Sequence, residues 1–209
     1  MSKSVEQKTK SNKTRRIVGC GVLTAVAVVL QYIEISIPIV PSFIKLDFSD
    51  LPELIGAFAY GPVVGVLIAL LKNLIHMAVS QSGFVGELSN FILGAVFAGV
   101  AGLIYSRKKT KKNALIAGVI SAVVMALVSL PSNYFLIYPL YYSVLGFPEE
   151  AVFGMYKALL PSVKNMVECL LIFNVPFTLV KGLISVVVTM LVYQPLRPFL
   201  KGSEINSTK

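Results

Sequence analysis

Lys72, Asn133 and Lys181 are polar side chains set in long runs of apolar residues. A lysine near the middle of a bilayer costs at least about 2.5 kcal/mol on insertion scales unless it meets a partner or faces a cavity. Counted from the outer end of its run, each of the three lies about nine residues deep, roughly 13 Å at 1.5 Å per residue, so they can share one polar layer. An ammonium donates to carbonyl oxygens, and an amide carries both donor and acceptor. Such groups suit a flat, uncharged heteroaromatic ligand. Asn73 and His76 continue a polar stripe outward from Lys72, so for that lysine pairing with a buried neighbour competes evenly with a pocket. The depth of Lys181 leaves it little room to reach the interface along its own stem, which favours the pocket.

Asn133 stands in Pro131-Ser132-Asn133-Tyr134 with Pro139 beyond, and the construction recurs in Phe173-Asn174-Val175-Pro176-Phe177-Thr178. Prolines free backbone carbonyls in a membrane helix and are tolerated where it packs on protein or lines a cavity. The two stretches read as pocket walls or as plain kinks. Tyr134, Phe135, Tyr138, Tyr141, Tyr142 and Phe177 crowd the same region, as an aromatic cleft or an interfacial belt. No phosphate loop, H-E-x-x-H, C-x-x-C or G-x-S-x-G occurs, and the single His76 cannot build a multi-histidine metal site. Carboxylates inside the spans look scarce, which argues against a proton or sodium relay. Work to move a solute uphill must then come from another subunit. From a different class, Lys72, His76 and Glu87 offer thin grounds for acid–base chemistry in a lipid-acting membrane enzyme, and a purely structural scaffold leaves the cost of Lys181 unexplained.

The elements that must position these residues are membrane helices. The chain is 56% hydrophobic and 14% charged, with a mean hydropathy of +0.78, too apolar for an ordinary soluble domain. Apolar runs near 17–37, 62–80, 88–106, 113–142 and 171–194 each suit a spanning helix of about 20 residues. A shorter run, Leu51–Tyr60, makes six; Ser49 before it resembles a cap, and Gly61-Pro62 after it a tight turn. The fold class is thus an all-α integral membrane protein of six transmembrane helices. A basic tail (1–16) precedes the membrane domain (17–196), and a second tail (197–209) follows it. Basic residues cluster before the first run, at 107–112 and after the last, which puts both termini and that loop on the cytoplasmic side. The net charge of +9 is a topology signal, not a nucleic-acid footprint. The stretches around 38–50, 81–87 and 143–170 become external loops, and the first, with Pro38, Pro41 and the alternation Phe43 to Phe48, reads as an extended cap. Gly21 and Ala25, at i and i+4, allow another helix to approach the first one closely. Cys20 and Cys169 fall near opposite faces, too far apart for a disulfide.

Leu46-Asp47-Phe48-Ser49-Asp50-Leu51-Pro52, Ile55-Gly56, Gly61-Pro62 and Leu71-Lys72-Asn73-Leu74-Ile75-His76 come in that order. Gly86-Glu87-Leu88-Ser89-Asn90-Phe91, Asn133-Tyr134 and Pro176-Phe177-Thr178-Leu179-Val180-Lys181-Gly182 follow. Over roughly residues 17–195 this series resembles the riboflavin-specific substrate-binding subunits of energy-coupling factor (ECF) transporters. The resemblance implies a non-enzymatic, cofactor-free subunit of the bacterial plasma membrane that captures riboflavin from outside. It implies that a transmembrane coupling subunit and two cytoplasmic ATPases supply the power, and that the subunit tips over in the lipid to release its vitamin. It further implies ligand contacts at Asn133, Tyr134, Thr178 and Lys181, a capping loop at Leu46 and Asp47, Asn90 and Gly94 near the pocket, and Gly21 and Ala25 against the coupling subunit. Thr178 departs from the asparagine expected there, which keeps open a flavin variant such as flavin mononucleotide, or another vitamin.

Overall fold

The computed structural model describes residues 3–80 and 82–201. Helix α1 (Lys3–Tyr32) leads into a loop whose strands β1 (Ile35–Ser36) and β2 (Lys45–Leu46) pair antiparallel, Ile35 opposite Leu46. Then come α2 (Asp50–Tyr60), α3 (Pro62–His76) with a 3-10 turn (Met77–Val79), and α4 (Val85–Arg107). Helix α5 (Lys111–Ser132) passes through a π-helical turn (Asn133–Ile137) into α6 (Tyr138–Val144). Helix α7 (Glu149–Leu159) is followed by α8 (Met166–Cys169), a second π turn (Leu170–Asn174) and α9 (Val175–Lys201). Among the described residues five segments are long and apolar enough to cross a membrane: Lys13–Tyr32, Pro62–Val79, Val85–Arg107, Lys111–Val144 and Met166–Tyr193.

The expected sixth element, α2, is a helix of 11 residues, about 16 Å long against a hydrocarbon layer of about 30 Å. It is sheathed by α1, α3, α4 and α9. Leu54, Ile55, Ala57 and Phe58 are all buried, as expected for a helix enclosed by others on every side. Gly61, at φ +103°, adopts a backbone closed to other residues, and Pro62 opens α3 with its preset φ. Arg16 Nη2 donates to Tyr60 O at 2.5 Å, so a cation tied to the end of α1's basic stretch satisfies the carbonyl end of α2.

Three expectations about elements change. The first helix ends at Tyr32 rather than near 37, because the chain turns at Ile33 into the short ladder. The stretch 143–170 is not a plain loop: Val152, Met155, Tyr156 and Leu159 recur at helical spacing, Glu149 and Glu150 suit the first turn, and Lys157 suits the last. The result is α7, which buries Val152 and Tyr156. Ser49 occupies the N-cap position of α2 but makes no capping bond; its hydroxyl is engaged elsewhere, as described below. The basic tail runs within α1 from Lys3, and residues 202–209 of the second tail lie outside the described residues. Cys20 and Cys169 are both free thiols in separate core clusters.

The prolines account for both π turns. A proline ring clashes with the carbonyl four residues earlier and offers it no N–H. For Pro139 and Pro176 those carbonyls belong to Phe135 and Ile172, each at the centre of a π turn. The helix widens there by one residue instead of breaking. Each turn brings one asparagine, Asn133 or Asn174, to the protein interior.

Helices α3 and α4 approach through glycine. A Cβ on Gly102 would lie 2.7 Å from Pro62 Cα, and one on Gly65 would lie 2.9 Å from Ala98 Cβ. Backbone cannot yield as a side chain does. Gly102→Val is expected to destabilise the protein by about 1–3 kcal/mol, read as a thermal transition lowered by several degrees in detergent.

Candidate ligand-binding site

The two intramembrane lysines are partnered. Lys181 Nζ donates to Asp47 Oδ2 at 2.9 Å and lies 3.3 Å from Asp50 Oδ2. Lys72 Nζ lies 2.7 Å from Glu53 Oε1 and 3.3 Å from Asp50 Oδ1, and also donates to Ser49 Oγ. Ser49 Oγ in turn donates to Asp47, whose Oδ1 also accepts from the Ser49 N–H at 2.8 Å. Two ammoniums thus share three carboxylates, all buried. The scarcity of acids inferred for the spans is corrected: Asp50 and Glu53 ride on α2 into the interior, and Asp47 follows from the loop. Burial alone would raise the Asp47 carboxyl, but Lys181, Lys72 and the Ser49 hydroxyl outweigh it and hold the carboxyl well below the usual carboxylate range. Its contribution to stability is therefore complete above the ordinary aspartate value of about 4 and is lost only as pH falls through the lower folded value.

Lys181, Asp47 and Asp50 line a cavity of about 590 Å³, within the usual range for small-molecule sites. Asn90, Asn133 and Thr178 line it as well. Lys72 does not; it stands behind Asp50, fully buried. Lys181 is both paired and cavity-lining: its ammonium faces Asp47 and Asp50 and has three N–H groups for these two carboxylates.

Three expected contacts fall elsewhere. Leu46 is off the cavity while its neighbours Lys45 and Asp47 line it, because successive strand residues point to opposite sides. Gly94 lies behind the lining, where a Cβ would come 2.5 Å from Glu53 Oε2; its lack of a side chain makes room for that carboxylate. Tyr134 is turned outward beside Phe135, their rings 4.9 Å apart and edge to face, since both sit on the outer side of the widened turn. Of the remaining aromatics, Tyr138, Tyr141 and Phe177 line the cavity. Gly21 and Ala25 are exposed on the outer face of α1, and nothing lies within 4 Å of a Cβ placed on Gly21.

Several lining groups were not singled out from the sequence. Asp50 was assigned to a loop, although two buried lysines call for at least as many carboxylates. Phe43, on the capping loop, sets its ring 6.2 Å from Tyr138, 5.9 Å from Tyr141 and 6.1 Å from Tyr156. His76 and Glu87, which the sequence did single out, line the cavity with Ser82: His76 Nδ1 donates to Glu87 Oε1 at 2.8 Å, while Ser80 and Ser82 Oγ donate to Glu87 Oε2 at 2.8 and 3.0 Å. Both serine protons go to the carboxylate rather than to the histidine. Neither hydroxyl is set up as a nucleophile.

The family described as the substrate-specific component of ECF transporters matches residues 15–193. The chain belongs to that family. The riboflavin transporter RibU of Staphylococcus aureus (strain TCH60) is 34% identical over 93% of this chain and 97% of its own length. RibU of Streptococcus thermophilus is 31% identical over 90% and 85%, and the riboflavin transporter FmnP of Bacillus subtilis (strain 168) is 26% identical over 90% and 95%. A solved structure of the S component of a bacterial ECF transporter superposes with a TM-score of 0.71 at 33% identity, covering 90% of this chain and 99% of that one. An S component is a transporter subunit and not an enzyme, so the lipid-acting alternative built on Lys72, His76 and Glu87 is set aside. Its geometry fails too, since Lys72 belongs to the other cluster.

In this S component Lys72→Met leaves Glu53 without its cation and takes one of two from Asp50. A loss of about 3–5 kcal/mol of stability is expected, read as failure to survive extraction or a strongly lowered melting point. Glu53→Gln, which brings the formal charge of the cluster from −1 to zero, is expected to melt close to the parent; an equal collapse would contradict the charge count.

Proposed function

We propose that this S component captures riboflavin from the outer side of a bacterial plasma membrane and delivers it through an ECF transporter. The observation that carries the proposal is the cavity in which Lys181, Asn133 and Thr178 meet Phe43, Tyr138 and Phe177. Aromatic faces suit a flat ring system, and the ammonium of Lys181 suits a ring carbonyl. Relatives named riboflavin transporters over nearly the full chain support the same ligand. Binding is non-covalent, and no bond of the vitamin changes.

The site comprises Asp47, Asn90, Asn133, Thr178 and Lys181, with the loop carrying Leu46 and Asp47 as its cap. Leu46, Gly94 and Tyr134 act from outside the lining. The membrane domain is 17–196, with six helices counting the short α2, and both termini are cytoplasmic, in keeping with the basic clusters at 107–112 and in the tails. A coupling subunit seats on α1 at Gly21 and Ala25, and two ATPases drive it. The small exposed residues of α1 support close helix contact there.

Two measurements test this. Detergent-purified protein is expected to quench riboflavin fluorescence at one ligand per chain, and Lys181→Ala to weaken binding by about 10- to 100-fold, the value of a charge-assisted hydrogen bond. Folded protein that leaves micromolar riboflavin unquenched overturns the ligand. Gly21→Leu is expected to keep full riboflavin binding while losing the coupling subunit in co-purification; unchanged recovery overturns the assigned contact face.

A further inference from the structure

Tyr138, Tyr156 and Asn174 form a closed hydrogen-bonded triangle beside the cavity. Tyr156 Oη donates to Asn174 Oδ1 at 2.7 Å, Asn174 Nδ2 donates to Tyr138 Oη at 2.9 Å, and the two phenol oxygens are bonded to each other. A phenol has one proton. Tyr156 gives its proton to Oδ1, so the Tyr138 proton goes to Tyr156, and the three bonds run head to tail. Closing the ring uses the amide N–H on the same side as the amide oxygen. The second N–H and one lone pair are left at opposite outer corners.

All three residues are buried, but only Tyr138 and Asn174 line the cavity; Tyr156, on α7, stands behind them. The amide nitrogen is the corner bonded to Tyr138, the cavity-lining tyrosine, and the amide oxygen is the corner bonded to Tyr156, which stands behind. Thr178, one turn further along α9, lines the cavity with it. The paired donor–acceptor edge of the amide is already occupied by the tyrosines, which excludes two-point pairing with an imide.

We propose that Asn174 is a specificity-determining residue of the flavin site, a one-point donor to a ring carbonyl oxygen or unprotonated ring nitrogen, and that Tyr156 is a positioning residue that holds its amide in that sense. This rests on the flavin function proposed above. It adds to the α7 residues that line the cavity, Val152 and Met155, one that acts from behind the lining. Phe43 packs edge-on against both tyrosines, so the capping loop rests on the same device.

The test is a double-mutant cycle on detergent-purified protein, with riboflavin affinity read by fluorescence quenching and folding read by melting. Asn174→Ala is expected to weaken binding by about 10-fold and Tyr156→Phe by about 5- to 10-fold, the scale of one hydrogen bond. The double variant is expected to bind no worse than Asn174→Ala, because without the amide Tyr156 has nothing to orient. Factors that multiply in the double variant, or wild-type affinity in Tyr156→Phe, overturn the role. If Asn174→Ala does not fold, Asn174→Asp, which keeps the shape and lacks the N–H, replaces it with the same expectation. A wild-type chain that fails to quench riboflavin overturns the flavin function and this role together; quenching wild type with multiplying factors overturns this role alone.

Discussion

Two ammonium groups in an apolar interior are the constraint on which the rest of the structure depends. Each would cost several kcal/mol unpaired, and the chain meets the cost with carboxylates that the five long apolar runs do not supply. Those carboxylates arrive from two places, the loop after α1 and the short helix α2. Folding Lys72 and Lys181 into the membrane therefore draws α2 to the centre of the bundle. It also fastens the loop that forms one side of the cavity. Asp50 lies near both lysines, so the pair behind the lining and the cavity-lining pair are one electrostatic unit.

Because Asp47 belongs to the loop and Lys181 to α9, the cap and the binding wall are joined by a direct ion pair. In the proposed site a ligand acceptor that meets Lys181 enters an existing network rather than an empty hole, and the ammonium need not be desolvated anew. Preorganisation of this kind favours tight binding. It suits a subunit that captures a scarce solute and leaves the energetic work to partners.

Proline does the second part of the arrangement. Pro139 and Pro176 sit at the same offset from their π turns, and each turn delivers an asparagine to the interior. The bonds lost to proline are thus the means by which amide side chains are placed at depth in helices that otherwise present apolar residues. Helix α7, apolar on one face and charged on the other, closes this end of the molecule and ties Asn174 in place through Tyr156.

The membrane class and the five long apolar segments follow from composition and spacing, because hydropathy acts residue by residue. The ordered motifs led to the family for the same reason, being local strings. What only the tertiary structure decided is which polar groups meet. Asp47 and Lys181 are separated by 134 positions, and no periodicity relates them. The pleat turns Leu46 away from the cavity that Asp47 lines, Gly94 proves to be a space for Glu53, and Tyr134 faces outward where the helix widens. Such outcomes depend on strand phase, interhelical distance and one-residue bulges, each of which shifts a side chain to another face without changing the apolar pattern that the sequence displays.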